Sequence, residues 1–107
     1  MSLARNIKAA RPPLREDPDR AAHLADVLKA VAHPLRLRIV ALLCAGEQHV
    51  SGLVEALGAA QPLVSQQLRI LRSQGLVEAT REDGFAFYRL AEPALRELVC
   101  CMEKCHR

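Results

Sequence analysis

The chain has 107 residues, and its most reactive side chains are the four cysteines Cys44, Cys100, Cys101 and Cys105. Three of them fall within the last eight residues, a layout that suits a disulfide scaffold poorly. The opening MSLARNIKAARPPLRED is basic but has no apolar central stretch, so it does not read as a secretory signal. Thiols kept reduced, for metal binding or redox chemistry, are therefore expected. On a C-terminal helix, Cys101 and Cys105 are i, i+4 neighbours on one face and can share an ion. Cys100 then points about 100° away from Cys101, so a three-sulfur centre needs the last turn to fray or a second subunit to contribute. Paired thiolates select soft ions such as As(III), Cd, Cu(I) or Zn, which makes Cys100, Cys101 and Cys105 the candidate metal ligands. His106 can add a nitrogen. Cys44, following Leu42-Leu43, reads as a small buried hydrophobe. Catalysis finds no support, since His23, His33 and His49 are scattered and no third orienting group or oxyanion site accompanies a cysteine.

The elements that must position these residues follow from composition and periodicity. Half the chain is hydrophobic, 25% is charged and 3% is aromatic, an ordinary globular balance for one domain. No apolar run approaches the roughly 18–20 residues of a membrane span, so a soluble, cytoplasmic protein is expected. Residues 1–16, with Arg5, Lys8, Arg11, Arg15 and Pro12-Pro13, read as a flexible basic arm. Residues 17–107 form the domain. Asp17 caps a first helix with Pro18 at its first position and Leu24, Val27, Leu28 and Val31 on one face. His33-Pro34 starts a second helix carrying Leu35, Ile39, Leu42 and Leu43. Ser51 caps a short third, with Val50, Leu53, Val54 and Leu57 inward, closed by Gly58. Pro62 opens a fourth, with Val64, Leu68 and Leu71 inward, closed by Gly75. Residues 76–81 and 85–90 read as a hairpin around Glu82-Asp83-Gly84. Pro93 opens a last helix with Leu95, Leu98, Val99 and Met102 on one face.

Two short helices joined by a tight glycine turn and followed by a two-stranded ribbon predict a winged helix-turn-helix. The fold class is mainly α, about five helices with a small β wing. With Val64, Leu68 and Leu71 committed inward, the outer face of the fourth helix carries Ser65, Gln66, Arg69 and Arg72, with Gln61 at its edge. Glutamine can pair with adenine, arginine with guanine, and serine with bases or phosphate. No acidic residue lies between Gln61 and Gln74, as a polyanionic partner requires. The net charge of +3 is compatible with that partner without demanding it. Gln61, Ser65, Gln66, Gln67 and Arg69 are the expected contacts to double-stranded DNA, helped by Arg81 on the wing, where Glu82 and Asp83 weaken the tip for phosphate.

The runs HPLRLRIVALL, VSGLVEALG and QPLVSQQLRILRSQGLVEATREDGFAFYRL resemble the ArsR/SmtB family of bacterial winged-helix repressors, over roughly residues 20 to 107. The resemblance implies a homodimer built from the first and last helices, a near-palindromic operator, and release from it when an inducer binds. The family's zinc pattern on the last helix, D-x-H-x10-H-x2-[EH], places Glu92, Ala94 and Cys105 at its first three positions and its fourth beyond Arg107. That zinc site is thus not present as such. The family's C-x-C thiolate motif is absent from residues 53–57. Arsenical sensors of the family with an adjacent Cys-Cys pair and a third cysteine near the end of the last helix look similar. An alternative reading is a thiol redox or persulfide-responsive repressor. Members of that branch pair a cysteine on the second helix with one on the last, at positions held here by Ala41, one turn before Cys44, and by Arg107, two residues after Cys105.

Overall fold

The computed structural model describes residues 11–105; Arg5, Lys8 and His106 lie outside them. Leu14–Glu16, at the end of the expected arm, form a single 3-10 turn. The five helices are α1 (Pro18–Val31), α2 (Pro34–Cys44), α3 (Val50–Leu57), α4 (Gln61–Ser73) and α5 (Pro93–Glu103). The strands are β1 (Gln48–His49), β2 (Val77–Glu82) and β3 (Phe85–Leu90), in the antiparallel order β1-β3-β2.

Local chemistry sets most boundaries. Asp17 accepts a hydrogen bond from the Arg20 backbone N–H at 3.1 Å, which satisfies one of the orphan donors of α1. The His33 Nδ1 accepts from the N–H groups of Leu35 and Arg36 at 3.2 and 3.4 Å, capping α2 just before Pro34. Gly58 closes α3 in the left-handed conformation, at φ 64°. In the hairpin, Glu82 pairs with Phe85, so the turn proper is only Asp83-Gly84, with φ 53° and 82°. A two-residue turn with both φ positive matches the right-handed strand twist, and Asp-Gly is a preferred pair for it.

Two expectations are corrected. The cap of α3 is His49, whose Nδ1 accepts from the Ser51 N–H at 3.1 Å, and Ser51 lies inside the helix. The wing is also not a two-stranded ribbon. Gln48 and His49 pair with Tyr88 and Phe87 as a third strand, and the His49 ring lies edge-on to Phe85 and Phe87 at 5.2 and 5.5 Å. Two residues are too few to show a strand period, so only the tertiary pairing reveals β1.

The core gathers one stripe from each element: Val27, Ala30 and Val31; Ile39, Val40 and Leu43; Leu53 and Leu57; Val64, Leu68 and Leu71; Leu76 and Val77; Leu95 and Val99. Leu28, although on the α1 stripe, is 51% exposed. Because His49 both caps α3 and joins it to the wing, His49→Ala should destabilise the fold by about 1 kcal/mol. The loss should exceed that for Ser51→Ala, as read by urea unfolding midpoints at unchanged slope.

Candidate nucleic-acid interface and thiol cluster

The α4 helix is held by one face. Val64, Gln67, Leu68 and Leu71 are buried, while Gln61, Gln66, Arg69 and Arg72 are exposed and Ser65 is half-buried. Ser65, Arg69 and Arg72 lie at i, i+4 and i+7 and face Tyr88 of β3 across a cleft of about 200 Å³. Helix and wing therefore share one cationic, hydroxyl-bearing concavity. No acidic residue occupies the first turn of α4, and Ala60 provides no side-chain cap, so its first N–H groups present a partial positive charge to an anion.

Gln67 is a correction. It was expected at the DNA face, but it is 6% exposed and its Oε1 accepts a hydrogen bond from Arg36 Nη1 at 2.8 Å. The reason lies in helical spacing: residues 64, 67, 68 and 71 form an i, i+3, i+4, i+7 stripe, and Gln67 fills its one polar position. Sequence reading missed Arg36 as a partner, though that same stripe contained the signal that Gln67 needed one.

On the wing, Arg89 is held by Glu78, directly opposite it on β2, at 2.8 Å. Arg81 is exposed and makes only a 3.4 Å bond to the Gly84 carbonyl, so its guanidinium can reorient toward a phosphate at little cost. Phe85, at the start of β3, is 55% exposed and pairs with Glu82, so its ring lies on the other face of the hairpin from Arg81.

The thiols sit at the junction of α2 and α5. Cys44, the last residue of α2, is half-buried against the core, and Arg96 Nη1 of α5 donates to its backbone carbonyl. Burial pushes the Cys44 thiol above its ordinary pKa; the nearby Arg96 guanidinium opposes this, and the negative charges of Glu103 and the Cys100 thiolate add to it. Cys100 and Cys101 are exposed and share a shallow cleft of about 450 Å³ with Arg96, Glu97 and Lys104. The expected i, i+4 pairing of Cys101 with Cys105 does not form within a helix. The α5 helix stops at Glu103, and Cys105 lies beyond it with its N–H bonded to the Met102 carbonyl at 2.9 Å. Among the described residues no group of three or more Cys, His, Asp or Glu is placed to hold a metal ion. Sequence reading treated Cys44 as packing and missed Arg96 as the partner of its carbonyl, because that bond depends on how α2 crosses α5.

Residues 33–79, from the cap of α2 through α4 to β2, match the family described as bacterial regulatory protein, arsR family. The chain is 42% identical over 98 residues to a biofilm growth-associated repressor of Xylella fastidiosa, covering 84% of this chain and 86% of that one. The chain belongs to the arsR family. This chain is a DNA-binding transcriptional repressor of that family, not an enzyme. Reduced HlyU from Vibrio cholerae superposes with a TM-score of 0.78 at 30% identity, over 84% of this chain and 95% of that one. The homodimeric winged helix-turn-helix DNA-binding domain Mb0332 from Mycobacterium bovis superposes with a TM-score of 0.71 at 34% identity, over 89% of this chain and 87% of that one. In this arsR-family chain, α4 occupies the recognition-helix position of the winged helix-turn-helix. Among the described residues no helix is long and apolar enough to cross a membrane.

Because alkylation proceeds through the thiolate, half-maximal modification of Cys44 by iodoacetamide should come above the pH of about 8.5 typical of a free cysteine. Peptide mass spectrometry of the folded protein across pH 7–10 measures this; a midpoint at or below the free-cysteine value would contradict the burial of that sulfur.

Proposed function

We propose that this arsR-family repressor acts as a homodimer, reads its operator with the outer face of α4, and is released by chemistry at the α2–α5 thiols. What carries the DNA reading is the division of α4 into a buried stripe and an outer face bearing Gln61, Ser65, Gln66, Arg69 and Arg72 beside the wing. Gln66 and Arg69 suit base edges in a major groove, and Arg81 suits the backbone beside it. Dimerisation is supported by the apolar groove of about 370 Å³ between α1 and α5, lined by Leu14, Leu24, Leu28, Leu95 and Leu98. The homodimeric Mycobacterium bovis domain supports the same reading.

For the inducer, the proposed chemistry is a redox switch between half-buried Cys44 at the end of α2 and exposed Cys100 on α5, supported by the packing of these two helices and by the Arg96 bond to the Cys44 carbonyl. Exposed Cys100 meets the oxidant first, and half-buried Cys44 resolves it. With hydrogen peroxide, the two thiols give up two protons and two electrons, one S–S bond forms, and the O–O bond breaks to leave two waters. Joining the end of α2 to α5 shifts the helix that lines the dimer groove, and a coupling of about 1–3 kcal/mol to DNA binding is typical of such changes. A second reading is a soft metal or metalloid such as As(III), Cd, Cu(I) or Zn held by Cys100, Cys101 and Cys105. It is favoured by the exposure of all three thiols and by the end of α5 at Glu103, which leaves Cys105 off the helix.

Fluorescence anisotropy of the reduced protein on the DNA upstream of its own coding sequence, at fixed salt, tests both. Gln66→Ala should lose roughly 1–3 kcal/mol of preference for operator over random DNA, with random-DNA binding spared. An equal loss on both would remove base reading from Gln66. Peroxide should release wild type, while Cys44→Ser and Cys100→Ser should each bind normally and stay bound. Release by stoichiometric arsenite that disappears in the Cys101→Ser, Cys105→Ser variant would instead establish the metalloid reading.

A further inference from the structure

We infer that Arg36 is a positioning residue: its guanidinium, shared between α1 and Gln67, sets the orientation of α4 and so determines how sharply the protein distinguishes its operator from other DNA. This rests on the proposed reading of α4 as the operator-reading helix.

Arg36 lies in the first turn of α2 and is half-buried. Its Nε donates to the Ala30 carbonyl at 2.5 Å and its Nη1 to Gln67 Oε1 at 2.8 Å. The Ala30 carbonyl belongs to the last turn of α1, where helical carbonyls lack intrahelical partners. The residue four positions on, which would supply the N–H if the helix continued, is Pro34, which has none. Arg36 supplies the missing donor. Among the described residues Gln67 is the single buried polar side chain, and its acceptor faces the same guanidinium. One cation thus joins the carboxyl end of α1, which lines the dimer groove, to the middle of α4.

The link is directional as well as attractive. A guanidinium holds its donors in a planar fork, so two acceptors on two helices are fixed at a set angle, which a lysine ammonium does not do. Gln67 directly follows Gln66 and lies two residues before Arg69. A small rotation of α4 about its axis would move both outer side chains relative to a groove while leaving the apolar stripe in the core. Apolar packing by Val64, Leu68 and Leu71 has little directional preference, whereas the hydrogen bond does.

The test compares Gln67→Leu, Gln67→Glu, Arg36→Leu and the Arg36→Leu, Gln67→Leu double variant on operator and random DNA at one salt concentration. Leucine keeps the volume of Gln67 in an apolar stripe, so the variant should fold, and the freed guanidinium edge can reach water. Gln67→Leu should lower the operator-to-random affinity ratio by roughly ten- to a hundredfold, the range a hydrogen bond to a charged group spans. Gln67→Glu, whose carboxylate still accepts from Arg36, should keep the ratio within about threefold of wild type. The double variant should lose no more than the worse single variant. Equal losses on both DNAs, failure of Gln67→Glu to rescue, or additive losses would each overturn the proposal.

Amide hydrogen exchange supplies an arm that needs no DNA. In Gln67→Leu, exchange along Gln61–Ser73 should quicken while Val77–Leu90 stays as in wild type. Unchanged exchange in α4 overturns the proposal even if the wild-type protein prefers no DNA, an outcome that by itself sinks the operator-reading function instead.

Discussion

A recognition helix must be held firmly by one face and leave the other empty, and this constraint organises the molecule. The buried face of α4 is only four residues wide, Val64, Gln67, Leu68 and Leu71, and it takes its support from α1, α2 and α3. A face that narrow cannot be anchored by apolar contact alone without freedom to rotate. The charge-assisted bond between Arg36 and Gln67 supplies the missing directional restraint, and no buried side-chain nitrogen or oxygen among the described residues is left without a partner. What remains outside is a mainly polar and cationic surface carrying Gln61, Gln66, Arg69 and Arg72, with Leu63 exposed among them, beside Tyr88 of the wing.

The wing is tied to this helix pair rather than hung from it. Strand β1 runs directly into α3 and pairs with β3, so the His49 ring serves at once as helix cap, sheet member and aromatic neighbour of Phe85 and Phe87. The cross-strand pair of Arg89 with Glu78 leaves Arg81 as the wing arginine without a carboxylate partner. The cleft between Tyr88 and the α4 arginines follows from that anchoring.

At the opposite end of α2, the chemistry changes from hydrogen-bond donors to sulfur. The same helix carries Arg36 in its first turn near α4 and ends at Cys44 against α5, eight residues or about 12 Å of helix later. A rigid element that touches the recognition helix at one end and the thiols at the other is suited to carry strain between them. Arg96 reinforces the junction by bonding the Cys44 carbonyl, and the same region borders the apolar groove between α1 and α5.

Most helix boundaries and the sign of the outer face of α4 were legible in the chain because they depend on local chemistry. Asp17-Pro18, Pro34, Gly58, Pro62, Gly75, Asp83-Gly84 and Pro93 each act within a few residues of themselves, and the absence of acids from Gln61 to Gln74 is a property of composition. Three features were not legible. Strand β1 is too short to have a period. The Arg96 bond to the Cys44 carbonyl and the Arg36–Gln67 bond join residues 52 and 31 positions apart, and their existence depends on crossing geometry rather than on either segment. The early end of α5 likewise removed a cysteine pairing that regular helical spacing predicts. Sequence by itself thus determined which segments would be helices, where most of them would begin and which face of α4 would be cationic, since capping, turn chemistry and hydrophobic period are short-range. Only the tertiary structure decided which polar groups would be paired across helices, because close packing selects those contacts among many that the chain alone permits.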